Sequence, residues 1–441
     1  MARRVLIVGA GVTGLAVAHG IRSRSPDAEV IVFEASDRAG GLVGTTSMDG
    51  YVLEWGPEAI QTSSQETLAL LSQLGLNGKI IEASPRSRTR YVVHRGAVTP
   101  LPMGPIGALK TRLLSPLAKF RAGMEVVVGP GNGEESVAAF GTRRFGLAVN
   151  PLLDAVVTGI FAGDPERLSV DAAFPQLRWL ERSYGSIIRG MMKRRSAGAL
   201  GGGLLTLQGG METLVRTLAA RTDVRYRTRV LSVARSNGGI RARTDAGEVA
   251  ADVVVLAGGP SLARIVEGGA SPPEIREAPV AVVGLGFDAS MVDERSEGYG
   301  VLSPEQEGRF LLGILYTSSL FPSHAPKGKV LYKCLVGGVR HPDRANLDDA
   351  ALVAGCRRDL AELLGVRGEP EFIKVVRHPR GIPQLELGHS RLTAALRDLE
   401  RAVPGLYIDG TGCTGISTNH LIGAASGLAD RIVAGRLGSS T

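Results

Sequence analysis

Apolar positions fall into two kinds of stretch. Val5-Leu6-Ile7-Val8 and Val30-Ile31-Val32-Phe33 are short unbroken runs, suited to strands buried on both faces of a parallel sheet. Residues 249–256 and Leu406-Tyr407-Ile408 read the same way much later in the chain. Tyr91-Val92-Val93-His94 and residues 280–287, 309–315 and 330–336 read as strands of a second sheet. Helical spacing marks Leu15, Val17, Ala18 and Ile21, then Leu68, Leu71 and Leu74 within residues 65–76, residues 211–220, and an amphipathic stretch over 348–364. From about 101 to 181, Pro and Gly punctuate helical patches. The expected fold is α/β (α+β overall): a Rossmann-like dinucleotide domain, a mixed-sheet substrate domain and an inserted α-helical domain. The first is expected from residues 1–84, 205–267 and 385–441, the second from 85–98, 185–204 and 268–384, and the third from 99–184.

The first run leads into Gly9-Ala10-Gly11-Val12-Thr13-Gly14, which is G-x-G-x-x-G between a strand and a helix. Gly9 permits the tight turn, Gly11 lets a pyrophosphate approach bare backbone, and Gly14 allows close helix–strand packing. The helix N-terminus then offers free N–H groups to the anion. Glu34 ends the second strand twenty residues after Gly14, where an acid can hold ribose hydroxyls. With strand, helix and acid all in place, the pattern points to a dinucleotide rather than to an idle glycine turn. Near the other end, Asp409-Gly410 closes a strand, and Thr411-Gly412 and Thr414-Gly415-Ile416 lead into a helix ending near Gly435. Asp409 suits a polar chain of the ligand or a water, and that helix start suits negative charge.

Composition narrows the choice. With 44% hydrophobic and 21% charged residues, the 441-residue chain is globular and long enough for two or three domains. A net charge of +8 favours acidic small molecules or anionic lipid surfaces. The basic residues are spread out with no nucleic-acid module, so no nucleic acid is expected. Cys334, Cys356 and Cys413 stand apart, giving neither a disulfide framework nor a zinc site, and a reducing cytoplasm fits. A strand from Val5 leaves no room for a signal peptide, and no apolar run approaches the ~18 residues of a membrane span. The seven histidines lack ligand spacing. No metal site, catalytic triad or general base is assigned.

Asp37-Arg38-Ala39-Gly40-Gly41, just past Glu34, resembles the flavoprotein family of amine oxidases, phytoene desaturases and protoporphyrinogen oxidases, in which the glycine doublet lies against FAD. Residues 158–169 (Thr-Gly-Ile-Phe-Ala-Gly-Asp-Pro-Glu-Arg-Leu-Ser), residues 316–322, Ala325-Pro326 and Leu335-Val336-Gly337-Gly338 resemble stretches of the oxygen-dependent protoporphyrinogen oxidases of plants, animals and myxobacteria. With the two glycine motifs, this resemblance covers nearly the whole chain. It implies a flavin-dependent oxidase that converts protoporphyrinogen IX to protoporphyrin IX in three two-electron steps, each passing a hydride to FAD and reducing molecular oxygen to hydrogen peroxide.

The resemblance also implies site residues. FAD is expected against Gly9, Gly11, Val12, Thr13, Gly14, Glu34, Ala35, Arg38, Gly40, Gly41, Gly56, Pro57, Val230, Asp409, Gly410, Gly415 and Ile416. Arg90 matches the arginine for a propionate; local chemistry alone leaves Arg86, Arg88 and Arg95 equal to it. Leu302, Leu315 and Leu335 match positions that sandwich the macrocycle, beside Gly163. Plant relatives carry phenylalanine at the position of Leu335, so this chain keeps the apolar contact and loses the stacking. Relatives rest on a membrane through the region that here mixes apolar residues with Lys110, Arg112, Lys119 and Arg121. A homodimer is also compatible with the resemblance. The rivals on the same fold are a coproporphyrinogen III oxidase, with four propionates and a more basic pocket, an amine oxidase needing an aromatic cage, and a carrier without redox activity.

Overall fold

The computed structural model describes residues 4–102, 104–196, 202–292 and 297–435; the polar tail at Ser439-Ser440-Thr441 lies outside them. Five parallel strands form one sheet, in the order Asp223–Arg225, Glu29–Phe33, Arg4–Val8, Val253–Leu256, Leu406–Ile408. Strand alternation sends Val5, Ile7, Val253 and Val255 to one core and Leu6, Val8, Val254 and Leu256 to another, so both faces are buried and every central position is apolar. Helices Val12–Arg24 and Thr418–Ala434 share the first core, and a Cβ on Gly20 would come 2.8 Å from that of Ala429. Helix His389–Ala402 closes the second through Leu392, Leu396 and Leu399.

The other large sheet has seven strands, in the order Phe372–Pro383, Glu277–Asp288, Lys329–Gly337, Gly313–Leu315, Gly300–Leu302, Arg90–His94, Ala97–Pro100. Its register lines up Gly284, Lys333, Leu315, Gly300 and Arg90 in one row and Val282, Leu335, Gly313, Leu302 and Val92 in the next but one. Residues opposed across strands, or two apart along one, share a face. Arg90, Leu302, Leu315, Lys333 and Leu335 are therefore on the same face. The reverse face, including Val283, Val301, Ile314 and Cys334, is sealed by Leu352, Cys356 and Leu360 of helix Asp349–Leu364. That helix is capped by Asp348, which accepts from the Ala351 amide at 2.7 Å.

Between the sheets' segments lie short helices, among them Val137–Phe145, Asn150–Phe161 and Pro175–Tyr184. Ion pairs hold them. Arg144, Glu125 and Glu181 have side chains with no exposure; Arg144 pairs with Glu181 at 2.6 Å and Glu125 at 3.0 Å, and Arg178 pairs with Glu181 at 2.6 Å. Helix Asn150–Phe161 crosses the open face of the seven-stranded sheet so closely that a Cβ on Gly159 would lie 2.3 Å from Leu302 Cδ2.

Several boundaries differ from expectation. Residues 249–256 make two strands in two sheets, parted at Asp252, whose carboxylate accepts from the Arg4 amide at 2.7 Å. Only Gly313–Leu315 of residues 309–315 is strand, because the Phe310 and Leu311 amides donate to Asp359 at 2.8 and 3.0 Å instead of to a neighbouring strand. The last helix starts at Thr418, after the capping Ser417, and leaves Ile416 in the preceding loop.

Burial pushes the Glu181 carboxyl up, but hydrogen bonds from Arg143, Arg178 and Arg144 outweigh it and hold it at about 2, below its ordinary 4.5. A depressed carboxylate contributes stability above its unfolded value and loses it as pH falls through the folded one. Glu181→Gln is expected to cost about 3–5 kcal/mol at neutral pH, the usual penalty for breaking a buried pair, and to flatten the loss of thermal stability between about pH 4.5 and about pH 2. Melting curves across that range check it; an acid slope identical to that of the unmutated protein would count against the assignment.

Candidate functional site

Four loops converge at the carboxyl end of the parallel sheet, where open α/β sheets bind ligands. The first is the Gly9–Gly14 turn. Gly9 has φ +106° and donates to the Phe33 carbonyl at 2.8 Å; a Cβ on Gly14 would sit 2.0 Å from the Gly9 carbonyl oxygen. Gly11 caps helix Val12–Arg24 with no side-chain cap bond and no acid in the first turn, so no side chain among the described residues competes for the first-turn amides of Val12, Thr13 and Gly14. A Cβ on Gly11 would meet no atom within 4 Å, so the bare backbone there faces open space.

The second loop begins at Glu34. One carboxylate oxygen accepts from the Ala10 amide at 2.8 Å and the other from the Ser36 amide and hydroxyl at 2.9 and 2.8 Å. Ala35 is exposed beside it. Val230 packs behind this strand end with Val8 and Phe33. Arg38 does not reach outward. Its guanidinium donates to the carbonyls of Ala39, Gly41 and Val43 at 3.1, 2.5 and 3.0 Å and lies 4.5 Å over the Trp55 ring, so it braces the glycine doublet. Gly40 bridges to Gly11, and its amide donates to the Ala10 carbonyl at 2.8 Å.

The third and fourth loops follow the Val253–Leu256 and Leu406–Ile408 strands. The Gly259 amide donates to the Asp409 carbonyl at 3.1 Å. Asp409 is buried, and its carboxylate accepts from the amide of Gly410 at 2.7 Å and the hydroxyl of Thr414 at 3.3 Å. Burial pushes its carboxyl upward. Gly415 abuts the His420 ring, and Ile416 packs against the core cluster that includes Phe161, Leu168 and Leu385.

Gly56 and Pro57 join this end to the seven-stranded sheet. A Cβ on Gly56 would lie 2.4 Å from the Leu42 carbonyl oxygen, next to the doublet. The Lys333 ammonium, 2% exposed, donates to the Gly56 carbonyl at 2.6 Å and to Glu58 at 3.0 Å. Glu54 is buried between the Met211 amide, at 2.8 Å, and the Thr45 hydroxyl, at 2.7 Å; burial and the nearby Glu58 push its carboxyl up to about 8.

Beyond lies the sheet face bearing Arg90, Leu302, Leu315 and Leu335, each half-buried, with Gly300 and Gly313 leaving the floor flat between them. The Arg90 guanidinium lies 4.8 Å over the Tyr299 ring. Arg86, Arg88 and Arg95 are exposed; Arg86 pairs with Glu297, and Arg95 sits in a turn. Gly163 is buried at the end of helix Asn150–Phe161, where a Cβ would come 2.5 Å from Gln384 Oε1. Arg340 pairs with Asp154 at 2.6 Å and Glu305 at 3.3 Å along the rim. Glu58, Lys333 and Arg340 escape a reading of the sequence, because only the register of distant strands brings them here.

Comparison with known proteins follows this layout. The family model for flavin containing amine oxidoreductases matches residues 12–422. The chain is 30% identical to protoporphyrinogen oxidase 2 of Arabidopsis thaliana, with 98% of this chain and 94% of that one covered. It is 29% identical to a coproporphyrinogen III oxidase of Bacillus subtilis, with 94% of each covered. A crystal structure from Exiguobacterium sp. 255-15 aligns with a TM-score of 0.86 at 23% identity over 99% of both chains. Cyclohexylamine oxidase from Brevibacterium oxydans aligns with a TM-score of 0.71 at 18% identity over 98% of this chain and all of that one, 100%. At these identities the two structures establish the fold alone.

Gly11 offers a test that separates folding from cofactor binding. Its φ of −73° suits any residue, and its missing side chain points at nothing in the protein. Gly11→Val is expected to keep the apoprotein's melting temperature while losing FAD. Flavin absorbance per mole of purified protein reads the outcome, and full occupancy would remove Gly11 from the cofactor path.

Proposed function

The chain belongs to the family of flavin containing amine oxidoreductases, and from that premise we propose that it oxidises protoporphyrinogen IX to protoporphyrin IX. It is a flavin-dependent oxidoreductase with FAD as its cofactor. The fit to FAD is seen in the bare Gly11 backbone facing open space and in the uncompeted amides of the first helix. Gly9, Gly11, Val12, Thr13 and Gly14 would hold the pyrophosphate and Glu34 the ribose, with Ala35 and Val230 beside it. Gly40, Gly41, Gly56 and Pro57 would line the cofactor's path, with Arg38 bracing the doublet from behind, and Asp409, Gly410, Gly415 and Ile416 its far end. Bound FAD supplies the two-electron acceptor, reoxidised by molecular oxygen to hydrogen peroxide, and three turnovers complete the porphyrin.

The observation that carries the substrate is the charge state of the sheet face. Lys333 is neutralised by Glu58, and Arg340 by Asp154 and Glu305. Arg90 makes no ion pair with any described residue and lies beside Leu302, Leu315 and Leu335. An apolar floor with one uncompensated guanidinium suits a flat macrocycle held by one carboxylate, gripped bidentately. Gly163 closes the end of the helix above. A four-propionate substrate would leave more carboxylates without a cation, which supports the two-propionate porphyrinogen over the substrate named for the Bacillus relative.

We propose further that the helical segment rests on an anionic membrane surface. Leu117, Phe120, Val127 and Leu147 are 77, 67, 69 and 73% exposed, near Lys110 and Arg112. No helix among the described residues is long and apolar enough to cross a membrane. Leu117→Glu with Phe120→Glu is expected to abolish flotation with phosphatidylglycerol vesicles and to spare turnover in detergent; unchanged flotation would refute the surface.

Porphyrin fluorescence in air, with purified protein, checks the substrate. We expect a higher kcat/KM on protoporphyrinogen IX than on coproporphyrinogen III, and preference for the latter would move the enzyme to that reaction. Arg90→Ala is expected to raise KM about tenfold or more, the loss of a charged hydrogen bond, with little change in kcat. An unchanged KM would release Arg90 from the role.

A further inference from the structure

We infer that Lys333 and Glu58 act as a positioning pair whose opposed charges together set the electrostatic potential at the flavin. Lys333 shares a row of the seven-stranded sheet with Leu315 and Arg90, and stands two residues from Leu335. Glu58 follows Gly56-Pro57 on the other side of the junction. Both side chains are buried, at 2% and 4% exposure, and their 3.0 Å contact joins positions far apart in the chain. A lysine buried alone would be held at a cost of several kcal/mol or lose its proton.

The pair differs from a plain structural bridge in two ways. First, Glu58 Oε1 is buried and accepts no hydrogen bond from the described residues, so half of the carboxylate is not spent on holding the fold. Second, Lys333 grips the Gly56 carbonyl at 2.6 Å. Gly56 packs on Leu42, and a Cβ on the adjoining Gly41 would lie 3.5 Å from Gly11 Cα. Three successive backbone contacts thus connect the ammonium to the pyrophosphate turn.

Burial disfavours the charged forms of the groups around the pair. Burial, then Glu58, pushes Glu54 up to about 8; burial raises the Tyr299 phenol and lowers the His324 and His378 imidazoles. The fixed charges nearby are then Lys333, Glu58, Arg38 and Arg90. In this setting either partner of the pair, left alone, acts on the reduced ring without the opposing charge of the other.

The inference rests on the flavin reading of the Gly56-Pro57 loop, and its test separates the two. The reduction potential of the bound flavin is measured at one fixed pH of about 7 in the unmutated holoenzyme, Glu58→Gln, Lys333→Met and the double variant. Glu58→Gln leaves a cation and is expected to raise the potential. Lys333→Met leaves an anion and is expected to lower it. The double variant is expected to return close to the starting value, and Lys333→Arg to keep it. Should Lys333→Met shed its flavin, the return of the double variant relative to Glu58→Gln carries the test. Shifts of one sign, or none, in variants that hold FAD would overturn the pair while leaving the functional reading intact. An unmutated protein that takes up no FAD would overturn both.

Discussion

A side chain on Gly14 would place its first carbon 2.0 Å from the Gly9 carbonyl oxygen, and much of the molecule rests on that contact being possible. It lets helix Val12–Arg24 start directly on the turn, which aims the helix's amides at the crevice instead of past it. The same kind of approach recurs outward. Gly56 admits the Leu42 carbonyl, and Gly284 admits Leu53, so the strand Tyr51–Glu54 can lie flat on the seven-stranded sheet. The two large sheets, which share no strands, are linked through these close approaches at glycine, and side chains distant in sequence meet over short distances.

Charge is handled differently in each region. In the helical segment, several acids and arginines are buried together and satisfy one another. At the junction one pair, Lys333 and Glu58, is buried, and burial disfavours the charged forms of Glu54, His324 and His378 nearby. On the open sheet face, the Arg90 guanidinium has no carboxylate partner among the described residues. The progression from saturated to uncompensated charge runs toward the place where an anionic substrate would enter.

The glycine turn, Glu34 and the doublet were legible because each acts within a few residues of its neighbours. So was the parallel sheet, since unbroken apolar runs leave little else for those residues to do. Strand Phe372–Pro383 was not legible. It carries Lys374, Arg377, His378 and Arg380 and ends near Pro379 and Pro383, a pattern that suits an edge strand, whose outer side needs no partner. Helix His389–Ala402 does carry Leu392, Leu396 and Leu399 at helical spacing, a signal legible in the sequence. The arginine chosen among four could not be separated by local chemistry; the structure places Arg90 in a row with Leu315 and leaves the others exposed. Pairs such as Lys333 and Glu58 depend on register between distant strands, and register has no local signature.

The parallel sheet also has a temporal side. Arg4–Val8 is made well before one of its two neighbours, Val253–Leu256, and the sheet's far edge, Leu406–Ile408, follows later still. Helix Val12–Arg24 likewise waits for Thr418–Ala434 to cover it. During synthesis, which proceeds at about 5–20 residues per second, the glycine turn emerges long before helix Thr418–Ala434, and its apolar flanks stay uncovered until that helix follows. For that interval the nascent protein depends on shielding by something other than itself.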